Sequence, residues 1–124
     1  MKNKAIITLL FVVAALYDGL LGAGFLVAGA AIFDRCGVTP PNHWGYVQFP
    51  AALLIVFAIM FLKIAVNPAA NRGLIPYGIL LKVSYCSVIF YHWFTAGLPY
   101  IWKPFAIADL VFLLLFIGAY RALR

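Results

Sequence analysis

The chain has 124 residues, of which 67% are hydrophobic and only 10% charged, and its formal net charge is +6. A soluble domain is about half apolar and a quarter charged, and a short chain is mostly surface, so this composition excludes an ordinary soluble domain and leaves room for a single one. The basic residues form no stripe along any segment, which excludes the electrostatic footprint of a nucleic-acid binder.

Bilayer as solvent reverses the demand, because lipid requires an apolar exterior. Four segments are long and apolar enough to cross it, at residues 5–33, 46–66, 74–95 and 101–120. The first runs longer than a span needs, so it is expected to tilt or to project from the outer surface. Residues 1–30 also resemble a signal peptide, with Lys2 and Lys4 ahead of an apolar run. The run continues too far for that, so a retained first helix is expected. The first helix carries small residues at Ala15, Gly19 and Ala23, with Gly24 and Ala28 alongside. Small residues four apart make a groove that admits another backbone, either inside the bundle or from a second copy of the chain.

The breaks at 34–45, 67–73 and 96–100 carry turn chemistry, and Pro50, Pro76 and Pro104 stand near the starts of the second, third and fourth helices. Proline is tolerated in a first turn, where its missing N–H has no helical partner anyway. Pro50 is placed so that it can instead kink a helix begun at Tyr46. Short connections make successive helices antiparallel neighbours. The expected fold is therefore an all-α membrane protein, a single transmembrane domain folded as an up-down-up-down four-helix bundle. Orientation follows the Lys and Arg balance. Lys2, Lys4, Lys63, Arg72, Arg121 and Arg124 fall on one side, and Arg35 and Lys103 on the other. This places both termini in the cytoplasm, with a bacterial plasma membrane as the expected setting. Trp44, Trp93 and Trp102, with Tyr46, Tyr91 and Tyr100, then form an aromatic rim at the outer interface.

Charges inside the spans carry the most information. The chain has no Glu and three Asp, two of them within helices: Asp18 in the first and Asp109 in the fourth. Lys82 lies within the third. Each costs about 2.5–3.5 kcal/mol at mid-bilayer on the most lenient scale. At 1.5 Å per residue, Asp18, Asp109 and Lys82 sit ~20, ~16 and ~12 Å above the cytoplasmic ends of their spans. One inward-facing polar layer is the arrangement that lowers the cost most. Its structural meaning is a salt bridge fastening helices one, three and four. Its functional meaning is a proton relay or an anchor for a ligand's polar group, because two carboxylates share one lysine. Outward from Lys82, a column through Tyr85, Ile89 and His92, with Cys86 adjacent, leads toward the aromatic rim and is a candidate pocket lining.

Cys36 and Cys86 fall at different depths, which opposes a disulfide between them. His43 and His92 lack any metal-binding spacing with the cysteines or carboxylates. No phosphate loop or nucleophile motif is present, so no metal, cofactor or catalytic residue is assigned.

The stretches YDGLLGAGFLVAG at 17–29, GVTPPNH at 37–43, NPAANRGLIPYGILLK at 67–82 and IADLVFLLLF at 107–116 give a layout that resembles the small bacterial four-helix membrane proteins grouped as DoxX-like. The resemblance spans nearly the whole chain and implies a small accessory subunit, since a few such proteins look like parts of membrane redox or quinone-linked assemblies. It carries over no catalytic residue. Two functions follow from the sequence. One is a non-enzymatic accessory or scaffolding subunit, or a binder of a lipid-like molecule within the bundle. Its partners would be the bilayer, a larger complex or a second copy, and a lipophilic small molecule. The other is a membrane enzyme or carrier that uses Asp18, Lys82 and Asp109 on a lipophilic substrate, a quinone or a proton. A filled bundle with paired charges favours the scaffold. A cavity with a carboxylate exposed to it favours ligand chemistry.

Overall fold

The computed structural model describes residues 2–124, with side chains from Lys4 onward. The described residues contain no strand and form four long helices: α1 (Lys2–Arg35), α2 (Gly45–Val66), α3 (Ile75–Thr95) and α4 (Trp102–Ala122). A 3₁₀ turn at Arg72–Leu74 leads into α3. All four helices are long and apolar enough to cross a membrane. Large apolar side chains stay exposed at mid-helix, among them Leu16, Ile59, Leu80 and Leu114. A contiguous apolar exterior of this kind is foreign to monomeric soluble proteins.

Most inter-helix packing is made within two helix pairs, α1 with α2 and α3 with α4. The first pair is built on small residues seven apart. Thr8, Gly22 and Gly29 on α1 face Ala65, Ala51 and Trp44 respectively, and Ala15, seven residues from both Thr8 and Gly22, is buried in the same cluster as Ala58. The Thr8 hydroxyl donates to the carbonyl of Ala65 at 3.0 Å. Ala15, Ala51, Ala58 and Ala65 are all buried. A Cβ on Gly22 would stand 2.5 Å from the Ala51 carbonyl oxygen, and one on Gly29 would stand 3.6 Å from the Trp44 ring. A seven-residue repeat keeps one face of a helix turned toward its partner, and small residues let the backbones touch. The groove anticipated in α1 is therefore internal, and its membership differs from the expectation. Ala15 and Gly19 belong to it, Gly19 lying against Ala58, whereas Ala23 and Ala28 are exposed. The repeat of seven turns Gly22, not Ala23, toward α2.

The second pair is held from end to end. Arg72 Nε donates to the Tyr120 carbonyl at 2.9 Å and its guanidinium lies over the Tyr120 ring. The Cys86 thiol points to the Ala106 carbonyl, and the Tyr85 hydroxyl donates to the Trp102 carbonyl at 3.2 Å. Between the pairs the backbones stay apart, and α2 barely meets α3. Side chains span the gap instead. In one half of the bundle Phe11, Phe61 and Phe116 are fully enclosed, with Phe11 stacked on Phe116 at 4.8 Å between ring centres. Gly78 makes room for this cluster, since a Cβ there would stand 2.7 Å from the Phe61 ring.

Two irregularities shape the other half. The long first helix bends at Ala28 (φ −127°, ψ 25°), where the run Ala28–Gly29–Ala30–Ala31 offers little side-chain resistance. Beyond the bend Phe33 is buried against Trp44, Trp102 and Phe25. Pro50 lies inside α2, as the sixth residue of the helix, and so has no N–H to offer the Tyr46 carbonyl. Pro76 stands in the first turn of α3.

Candidate functional site

The structure brings Asp18, Lys82 and Asp109 into one cluster between the two helix pairs. The Lys82 ammonium donates to both carboxylate oxygens of Asp18, at 3.1 and 3.0 Å, and to Oδ1 of Asp109 at 3.0 Å. All three contacts go to carboxylate oxygens. Lys82 is fully buried, Asp18 is 1% exposed and Asp109 6%. The ammonium also faces the rings of Phe112 at 5.1 Å and Tyr17 at 5.3 Å, a favourable placement for a desolvated cation. Asp109 Oδ2 receives no hydrogen bond from the described residues. The cluster therefore holds one carboxylate more than it has cations.

Above the cluster lies a cavity of about 610 Å³ with walls from all four helices. Asp18 and Asp109 form its polar end. Its apolar wall includes Leu21, Val47, Ala51, Leu54 and Leu81. Phe33 and Trp102 line it under the bent end of α1. Five lining residues are exposed, Tyr46, Pro50 and Leu53 on α2 with Ser84 and Val88 on α3. The mouth thus opens sideways between α2 and α3, where the backbones barely meet. Opposite, a smaller cavity of about 340 Å³ between α1 and α4 shares Tyr17, Leu21, Phe25 and Phe105 with the first.

Tyr17 was not singled out by the sequence. It lines both cavities, and its hydroxyl is buried without a hydrogen-bond partner. An unsatisfied buried hydroxyl costs about 1–3 kcal/mol, so a polar group from outside the chain has something to gain here. The signal available was its position beside Asp18, one residue away on an apolar helix.

Of the three residues expected to line a pocket, Tyr85 does so and Cys86 and His92 do not. The lining stripe of α3 is Leu81, Ser84, Tyr85 and Val88, whereas Lys82 shares its buried stripe with Ile75, Gly78 and Cys86. One residue turns a helix by about 100°, which carries Cys86 round to α4. His92 is exposed in the last turn of α3, its carbonyl accepting from Ala96 and Gly97. Cys36 is free and exposed, and Cys86 is free and buried. Among the described residues no three His, Cys, Asp or Glu side chains stand close enough to hold a metal ion.

The site so defined is a sideways-opening apolar cavity that ends on a buried carboxylate, in a bundle of four helices each long enough to cross a bilayer. The chain matches no family model, no curated protein and no solved structure.

Proposed function

We propose that this chain is an integral membrane protein of four spans, arranged up-down-up-down, that binds a lipophilic molecule in the cavity between its two helix pairs. The observation that carries the reading is the cavity of about 610 Å³, apolar along its walls and closed at one end by Asp18 and Asp109. Sites for small lipophilic molecules have this character, a largely apolar recess with a few placed polar groups. The exposed Leu and Val belt supports insertion, because nothing else tolerates such a surface. In that setting Leu53 and Val88 at the mouth face acyl chains, so the ligand arrives from the lipid, not from water.

The orientation that fits the charge pattern puts the termini and the turn at 67–74 in the cytoplasm. Lys4, Lys63, Arg72, Arg121 and Arg124 lie at that end; Lys2, the sixth, lies outside the described side chains. A purely scaffolding role calls for a filled bundle, and here only one half is filled. The carrier alternative calls for a route onward past the ionic cluster. Phe11, Phe61 and Phe116 pack that region without exposure, which favours binding over conduction. The resemblance to DoxX-like proteins contributes no residue to this reading.

The test is photolabelling in lipid vesicles with a diazirine-bearing hexadecanol. Labels should concentrate on Leu53, Ser84, Tyr85 and Val88. Labels confined to outward residues such as Leu16, Ile59 and Leu114 would reject the reading.

A further inference from the structure

We infer that the ligand of this cavity is a lipophilic cation, an inference that rests on the binding reading above and narrows it to one chemical class. Three features select for positive charge. The first is the charge balance at the polar end, where Asp18 and Asp109 share the single cation Lys82. The second is a free acceptor on a residue of the cavity lining. The Asp109 side chain is 9% exposed, lines the cavity, and leaves Oδ2 without a donor among the described residues. Asp18, by contrast, has both oxygens engaged by Lys82. A neutral apolar guest would leave that oxygen as it is. A cation would complete it, and in low dielectric the gain is far larger than in water.

The third feature is the aromatic wall. Tyr17, Phe25, Phe33, Tyr85, Trp102 and Phe105 all line the cavity. Phe25 stacks on Trp102 at 5.7 Å, Phe33 meets Trp102 edge-on at 5.9 Å, and Tyr17 meets Phe105 edge-on at 6.3 Å. Ring faces attract cations and serve as cages for ammonium groups that have no proton to donate. The buried ammonium of Lys82, between Tyr17 and Phe112, is the same recognition chemistry on the other side of the carboxylates. An anion would meet the electron-rich faces and the free carboxylate oxygen, and is repelled by both.

The experiment uses three probes of matched shape that differ in charge: tetraphenylphosphonium, neutral tetraphenylmethane and tetraphenylborate. Uptake by protein-containing phosphatidylcholine vesicles is measured above that of protein-free vesicles. The phosphonium should saturate at one per chain, with affinity at least tenfold above the other two. Asp109→Asn should erase that preference, and Trp102→Leu, which keeps both carboxylates, should reduce it severalfold. Should Asp109→Asn fail to fold, the charge series on the unaltered protein still decides. Saturable binding of the neutral or anionic probe at equal or higher affinity overturns the cation inference while leaving a lipophile site in place. Absence of saturable binding by all three removes the site itself.

Discussion

Gly22 of α1 rests directly on the backbone of Ala51 of α2, so closely that an added Cβ would stand 2.5 Å from the Ala51 carbonyl oxygen. This is the tightest point of a seam in which residues seven apart meet in opposite order along the two helices. Gly22→Ala should therefore destabilise the protein by about 1–3 kcal/mol, the usual range for overpacking. Gly118 is the control, since a Cβ there meets nothing within 4 Å. Gly118→Ala should be neutral or stabilising by roughly 0.5–1 kcal/mol. Thermal melting in detergent compares the two, and equal melting temperatures would place the seam elsewhere.

The same seam decides what the small-residue groove is for. Because Gly19 faces Ala58, Gly19→Leu should abolish the folded protein in detergent, not merely change its oligomeric state. A folded Gly19→Leu monomer, seen by size-exclusion chromatography with intact helical circular dichroism, would show that the groove serves association instead.

The four helices were legible because length and apolarity alone define a span, and the observed bounds differ from the expected ones by three residues or fewer at each end. Asp18, Lys82 and Asp109 were legible because isolated charges in lipid are so costly that meeting is the economical solution. The seam was present in the sequence as Thr8, Ala15, Gly22 and Gly29 on α1 and Ala51, Ala58 and Ala65 on α2, but small residues are common in such helices and only the pairing makes the period visible. The cavity was not legible. It arises because Lys82 and three phenylalanines span between helix pairs whose backbones stay apart, and no local pattern encodes that distance.

Lys82 fastens α3 to both carboxylate-bearing helices, but unequally. It engages both oxygens of Asp18 and one of Asp109. Lys82→Met leaves two buried carboxylates facing each other and should destabilise the protein. In double-mutant cycles, coupling of Lys82 to Asp18, read with Asp18→Asn, should exceed coupling to Asp109, read with Asp109→Asn. The coupling is expected on the order of 1–2 kcal/mol, toward the upper end for polar pairs in membranes. Denaturant titration in mixed micelles measures it, and a stronger Asp109 coupling would contradict the geometry.

Topology has a direct chemical test. Cys36 is free and exposed at one end of the bundle, and Cys86 is free but buried. A membrane-impermeant maleimide applied to sealed cells should label Cys36. With Cys36→Ser, a cysteine introduced as Asn71→Cys should stay protected until the membrane is opened. Labelling of Asn71→Cys in sealed cells, with Cys36 protected, would invert the proposed orientation.

The proposed function requires that lipophilic molecules enter the space between α2 and α3 from the side. Ser84 lies at the mouth, exposed, its hydroxyl turned back to the Leu80 carbonyl at 2.8 Å, so a larger side chain there blocks the opening without entering the ionic cluster. Saturation binding of tetraphenylphosphonium to the unaltered protein and to Ser84→Trp, at matched melting temperature, tests this entry. The unaltered protein should show one saturable site per chain, and Ser84→Trp at least a tenfold loss of affinity. Equal binding by the two proteins would contradict entry from the side.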